Sequence, residues 1–119
     1  MLIVDDSADD AFLMAHALRR GNCAIVWERV DTPEALAEAL RRHSQWDVVL
    51  CDSKMCRLTV PSALRLVRRA TPRTPVIVVS GRRPEELEAL AAAEEVSGVL
   101  TKDQFTDLPA VVRSVIARG

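Results

Sequence analysis

Apolar positions along the chain follow two rhythms. Short unbroken runs fall at Met1–Val4, Cys23–Trp27, Val48–Cys51, Val76–Val79 and Gly98–Leu100. They are rich in Val and Ile and lack the polar alternation of a strand with one wet face. They predict strands buried on both sides, as in a parallel sheet. Between them, apolar residues recur three and four apart, the spacing of one helix face. Ala11, Met14, Ala15 and Leu18 mark the first helix, and Leu36, Ala39 and Leu40 the second. Ala63, Leu66, Val67 and Ala70 mark the third, Leu87, Leu90 and Ala91 the fourth, and Leu108, Val111, Val112 and Val115 the fifth. Gly21 reads as the C′ glycine that stops the first helix. Thr32 and Pro33 read as N-cap and N1 of the second. Pro84 opens the fourth and Thr106 caps the fifth.

Five strand–helix pairs in alternation predict an α/β domain with a parallel sheet. Right-handed crossovers make the sheet doubly wound, with helices on both faces. In the order 2-1-3-4-5, strand two is an edge. Such sheets hold their sites at the carboxyl ends of the strands. Strand one ends at Asp5 and Asp6, strand three at Asp52 in VVLCDS, strand four at Ser80 in VIVVSG, and strand five at Lys102 in GVLTK. Each residue alone reads as a cap, a turn residue or a solvated charge. Together, each at the end of a separate strand, they point to one site.

The chemistry follows from the residue types. Adjacent acids need a cation, a proton or open water. Three acids suit a hard divalent cation, and Mg²⁺ keeps several waters on one or two carboxylates. A metal, an ammonium and a hydroxyl together can hold the oxygens of a phosphoryl group. Asp52 could then act as nucleophile and form an acyl phosphate.

Composition narrows the alternatives. The chain has 119 residues, which suits one domain over 1–119. The formal net charge of −1 gives no electrostatic case for nucleic acid or an anionic membrane. Aromatics are 3%, too few for a base-stacking surface. No apolar run approaches the roughly 20 residues needed to span a bilayer, and no basic leader precedes the first strand. Cys23, Cys51 and Cys56 show no CxxC spacing, and their odd count together with the lack of an export signal favours free thiols in a reducing, cytoplasmic setting. Cys51 should point off its strand away from Asp52, into the core. His16 and His43 have no ligand-spaced partner. Trp27 and Trp46 read as packing residues. The run RRATPR, residues 68–73, reads as a solvated basic helix end.

With these residues in view, the chain resembles the receiver domains of two-component response regulators over essentially its whole length. The matching motifs are Asp5-Asp6, Asp52 after an apolar strand, Ser80-Gly81 after strand four, and Lys102 after strand five. The resemblance implies a flavodoxin-like receiver fold and a signalling domain rather than a metabolic enzyme. It implies that Asp52 accepts a phosphoryl group from a histidine kinase or phosphotransfer protein. Asp6 and Asp52 would hold Mg²⁺ directly, with Asp5 close by and the backbone carbonyl of Lys54 as a further ligand. Lys102 would pair with phosphoryl oxygens, and Ser80 would hydrogen-bond them. Output would leave through the fourth helix, fifth strand and fifth helix, toward an output domain, a partner or a second copy. The tail LTKDQFTDLPAVVRSVI resembles receivers that often begin larger sensory proteins.

Three features depart from the family pattern. Val99 stands where the family has an aromatic switch residue, and valine has one stiff torsion and no ring. Asp103 follows Lys102 where the family has proline, so a cis bond there would cost about 2.5–4 kcal/mol. The segment SKMCRLTVPS after Asp52 carries Cys56, Arg57 and Leu58 where the family usually has a proline and one or more glycines, which predicts an altered or mobile loop before the third helix. These departures motivate a second expectation, a receiver-like interaction domain that works without phosphorylation.

Overall fold

The computed structural model describes residues 1–23, 26–43, 46–52, 58–80 and 96–118, residues 102–104 and 118 by their backbone alone. The fourth predicted helix, with Pro84, Leu87, Leu90 and Ala91, lies outside the described residues, as do Lys54, Cys56 and Arg57. The elements run β1 (Leu2–Val4), α1 (Ala8–Arg20), β2 (Glu28–Val30), α2 (Pro33–Arg42), β3 (Val49–Asp52), α3 (Val60–Ala70), β4 (Val76–Ser80) and β5 (Gly98–Thr101). A 3-10 turn, Lys102–Asp107, then leads into α4 (Leu108–Arg118), the fifth of the predicted helices.

The strands form one parallel sheet in the order β2-β1-β3-β4-β5, as expected. Alternate side chains of each inner strand feed two cores. Leu2, Val4, Val49, Cys51, Val76 and Val78 pack with Leu36, Leu40, Leu64 and Val67 beneath α2 and α3. Ile3, Leu50, Ile77 and Val79 pack with Met14, Leu18, Val112 and Val115 beneath α1 and α4. Both faces are therefore dry, which is why these strands are continuously apolar.

Helix starts obey local chemistry. Ser7, Thr32 and Thr59 are extended N-caps whose hydroxyls accept from the amides of Asp10, Ala35 and Ser62. Each satisfies one of the amides that a helix start leaves without an internal partner.

Four expectations need correction. The second strand is Glu28–Val30, not Cys23–Trp27. It is an edge strand with only Val30 buried, so burial does not demand an apolar run. Cys23 and Trp27 instead pack against the core beneath α1 and α4. The left-handed residue after α1 is Asn22 (φ 63°), and Gly21 has φ −88°. The amides of Asn22 and Cys23 bond to the carbonyls of Arg19 and Leu18, a Schellman ending with asparagine at C′. The buried stripe of α3 is Val60, Ala63, Leu64 and Val67, whereas Ala70 is exposed. Thr106 lies inside the 3-10 turn, two residues before Leu108, and is not the residue that directly precedes α4.

Candidate functional site

The carboxyl edge of the sheet gathers the acids. Asp5 follows the last residue of β1, and its amide continues the ladder by bonding to Val30 O at 3.0 Å. Its carboxylate Oδ1 accepts from the amide of Ser7 at 2.9 Å, a tight turn that swings the chain from strand into helix. Asp5 is fully buried, and the adjoining Asp6 is exposed. Asp52 is the last residue of β3 and is 3% exposed. Each of the three acids offers a carboxylate oxygen, and these lie within 4.8 Å of one another. An all-oxygen donor set of this kind fits a hard divalent cation, which would offset the mutual repulsion.

The neighbouring strands add to this rim. Asp52 pairs in register with Val79, so Ser80 ends β4 one residue further on, fully buried. Ser80 pairs with Thr101, the last residue of β5. The backbone of Lys102 begins the 3-10 turn at that point. The structure thus brings Asp5, Asp6 and Asp52 together and puts Ser80 and the Lys102 backbone at the ends of the next two strands. The Lys102 side chain and all of Lys54 fall outside the description.

Cys51 adjoins Asp52 but faces the α2–α3 core. Burial, followed by the nearby Asp52 and Asp5 charges, pushes its thiol up to about 12. It stays protonated and unreactive at neutral pH, as a core residue should. His16 and His43 are exposed, and His43 sits edge-on to the partly buried Trp46. Trp27 is likewise partly buried and meets Phe12 edge-on.

Two residues at this edge escaped the sequence reading. Thr101 sits between two more conspicuous residues, Leu100 and Lys102. Arg29 donates from Nη1 to the backbone carbonyl of Asp5 at 3.2 Å. Placing the second strand too early hid it, because a strand over 28–30 is what aims Arg29 at β1.

A five-stranded parallel sheet in this order, with acids at its carboxyl edge, defines a flavodoxin-like receiver. Residues 1–113 match the family described as the response regulator receiver domain. The chain belongs to that family, and its role is that of a receiver in two-component signalling. No curated protein matches it in sequence. Among solved structures, it is similar to the REC domain of AraT, a response regulator from Geobacillus stearothermophilus. The identity there is 27%, with a TM-score of 0.77 over 98% of this chain and 92% of that one. A sensor protein from Polaromonas sp. JS666 is 25% identical, with a TM-score of 0.82 over 98% and 94% of the two chains. The N-terminal domain of a response regulator/sensory box/GGDEF 3-domain protein from Carboxydothermus hydrogenoformans shares the fold at 20% identity, with a TM-score of 0.80 over 98% and 93%. Among the described residues, no helix is long and apolar enough to cross a membrane.

Proposed function

We propose that Asp52 is a phosphoacceptor and that its phosphorylation switches the domain. The carrying observation is the meeting of three carboxylates at the carboxyl ends of β1 and β3 within 4.8 Å, one of them the buried Asp52. Asp5, Asp6 and Asp52 would hold Mg²⁺, with the Lys54 carbonyl as a further ligand. The cation supplies charge neutralisation for an anionic donor approaching an anionic nucleophile. An Asp52 carboxylate oxygen attacks phosphorus, and a P–O bond forms as the P–N bond to the donor's phosphohistidine breaks. The electron pair of that bond returns to the imidazole. The Lys102 ammonium pairs with the phosphoryl oxygens, and the Ser80 hydroxyl donates to one of them.

The domain covers residues 1–119 and carries signal rather than metabolic flux. Its donor is a histidine kinase or phosphotransfer protein in the cytoplasm. Output runs through the fourth predicted helix, β5 and the last helix, as a population shift toward an output domain, a partner or a second copy. Val99 is partly buried against the α2–α3 core and has no ring to swing. This supports transmission by backbone movement of the β4 and β5 ends instead of an aromatic rotamer. The same residue supports the second reading, an interaction domain indifferent to phosphate.

Intact mass spectrometry separates the two. After incubation with a small-molecule acyl phosphate, the full chain should gain one phosphoryl group with MgCl₂ and none without it. Asp52→Ala should gain none. A folded, Mg²⁺-binding sample that gains nothing would leave the interaction domain as the account.

A further inference from the structure

Arg29 is the middle residue of edge strand β2, opposite Ile3 in the ladder. Its Nη1 donates to Asp5 O at 3.2 Å and to Asp31 Oδ2 at 3.4 Å. The side chain is 33% exposed, and an ion pair of that kind adds little to global stability. The bond to Asp5 differs in kind. β2 ends at Val30, and the chain then turns into Thr32, the N-cap of α2. The guanidinium therefore donates where a longer strand would have offered an amide.

That carbonyl belongs to the peptide plane joining Asp5 to Asp6, and the plane is rigid. Asp5 is held at its amide by Val30, at its carboxylate by Ser7 and at its carbonyl by Arg29. The exposed Asp6 takes its direction from this anchored neighbour. We infer that Arg29 is a positioning residue for the acidic cluster: braced by Asp31, it fixes the Asp5–Asp6 peptide so that the Asp6 carboxylate meets those of Asp5 and Asp52.

Positioning and charge act in opposite directions here. A nearby cation repels Mg²⁺, so removing a mere charge would tighten metal binding, by roughly twofold after solvent and salt screening. Removing a positioning contact would weaken it, by about tenfold for a group that orients metal ligands. The sign of the change therefore separates the two roles. The metal measurement rests on the proposed function, whereas an exchange measurement on metal-free protein does not.

The test uses the full chain labelled with ¹⁵N, as wild type, Arg29→Ala, Arg29→Lys and Asp31→Asn. Amide exchange at Ser7 is measured without metal, and MgCl₂ is then titrated on the same samples. In Arg29→Ala the Ser7 amide should exchange measurably faster than in the wild type, and Mg²⁺ should bind about tenfold more weakly. The thermal midpoint should hardly move. Arg29→Lys, which keeps a donor able to reach both acceptors, should recover part of each loss. Asp31→Asn should shift both in the same direction by less. Unchanged Ser7 exchange in Arg29→Ala, or unchanged or tighter Mg²⁺ binding, would overturn the inference. A wild type that binds no Mg²⁺ would instead sink the proposed function, and Ser7 exchange would still decide the role of Arg29.

Discussion

Asp5 and Asp6 are adjacent in sequence but stand in different surroundings, one fully buried and one exposed. Asp6 can therefore be changed without disturbing the core. With no cation present, three carboxylates within 4.8 Å repel one another, and Asp6 contributes to that repulsion through water. Asp6→Asn should stabilise the metal-free protein by about 1 kcal/mol and abolish most of the stabilisation that Mg²⁺ gives the wild type. Urea unfolding with and without MgCl₂ measures both effects. Cys51 supplies a second residue-level prediction. Its thiol is raised from 9.0 to about 12 in the fold. A raised folded value gives stability that is present below the unfolded value and lost as pH rises through the folded one. Between about pH 9 and 12 the unfolded chain binds fewer protons, so this thiol removes on the order of 1 kcal/mol per pH unit. Cys51→Ala should flatten the alkaline slope of stability, measured by denaturant titration at several pH values.

Helix ends show how far local signals reach. Thr32 with Pro33 was legible as a helix start because capping is a contact between near neighbours. The end of α1 was legible as a stop but assigned to the wrong residue. Asn22 adopts the left-handed conformation, and Gly21 is required for a different, non-local reason. A Cβ on Gly21 would lie 2.3 Å from Pro109 Cγ, at the start of α4. The missing side chain lets α1 and α4 dock. Gly21→Ala should thus cost about 1–3 kcal/mol through overpacking, despite alanine's better helix propensity. Thermal unfolding gives the test, and an unchanged midpoint would mean that Pro109 can yield. The same divide explains β2. An apolar run at Cys23–Trp27 looked like a strand, yet an edge strand needs only one buried residue here, and Val30 provides it.

At the scale of the molecule, a sheet covered on both faces gives two cores that share the same strands. Leu50, fully buried in the central strand, faces α1 and α4. Leu50→Ala should cost about 2–5 kcal/mol, a large share of a typical domain's 5–15 kcal/mol. Phe12→Ala, at a residue 64% exposed, should cost far less. The two urea midpoints test whether stability resides in the sheet or in the helix surfaces. Fixed strand order also makes the site, because β1 and β3 are neighbours and their carboxyl ends therefore meet.

The sequence by itself determined the α/β class, the parallel sheet, four of the five strand positions and the acids at the strand ends. Those features depend on periodicity and on residues next to one another in the chain. Only the tertiary structure decided which acid is buried, where the edge strand lies, why Gly21 has no side chain, and that Arg29 reaches Asp5. Each of these is set by a contact between elements. Asp5 meets Asp52 because two strands pair, Gly21 meets Pro109 because two helices cross, and Arg29 meets Asp5 because β2 stops one residue after it. A linear pattern carries the appetite of each segment for burial, whereas partners distant in sequence exist only once the sheet has formed.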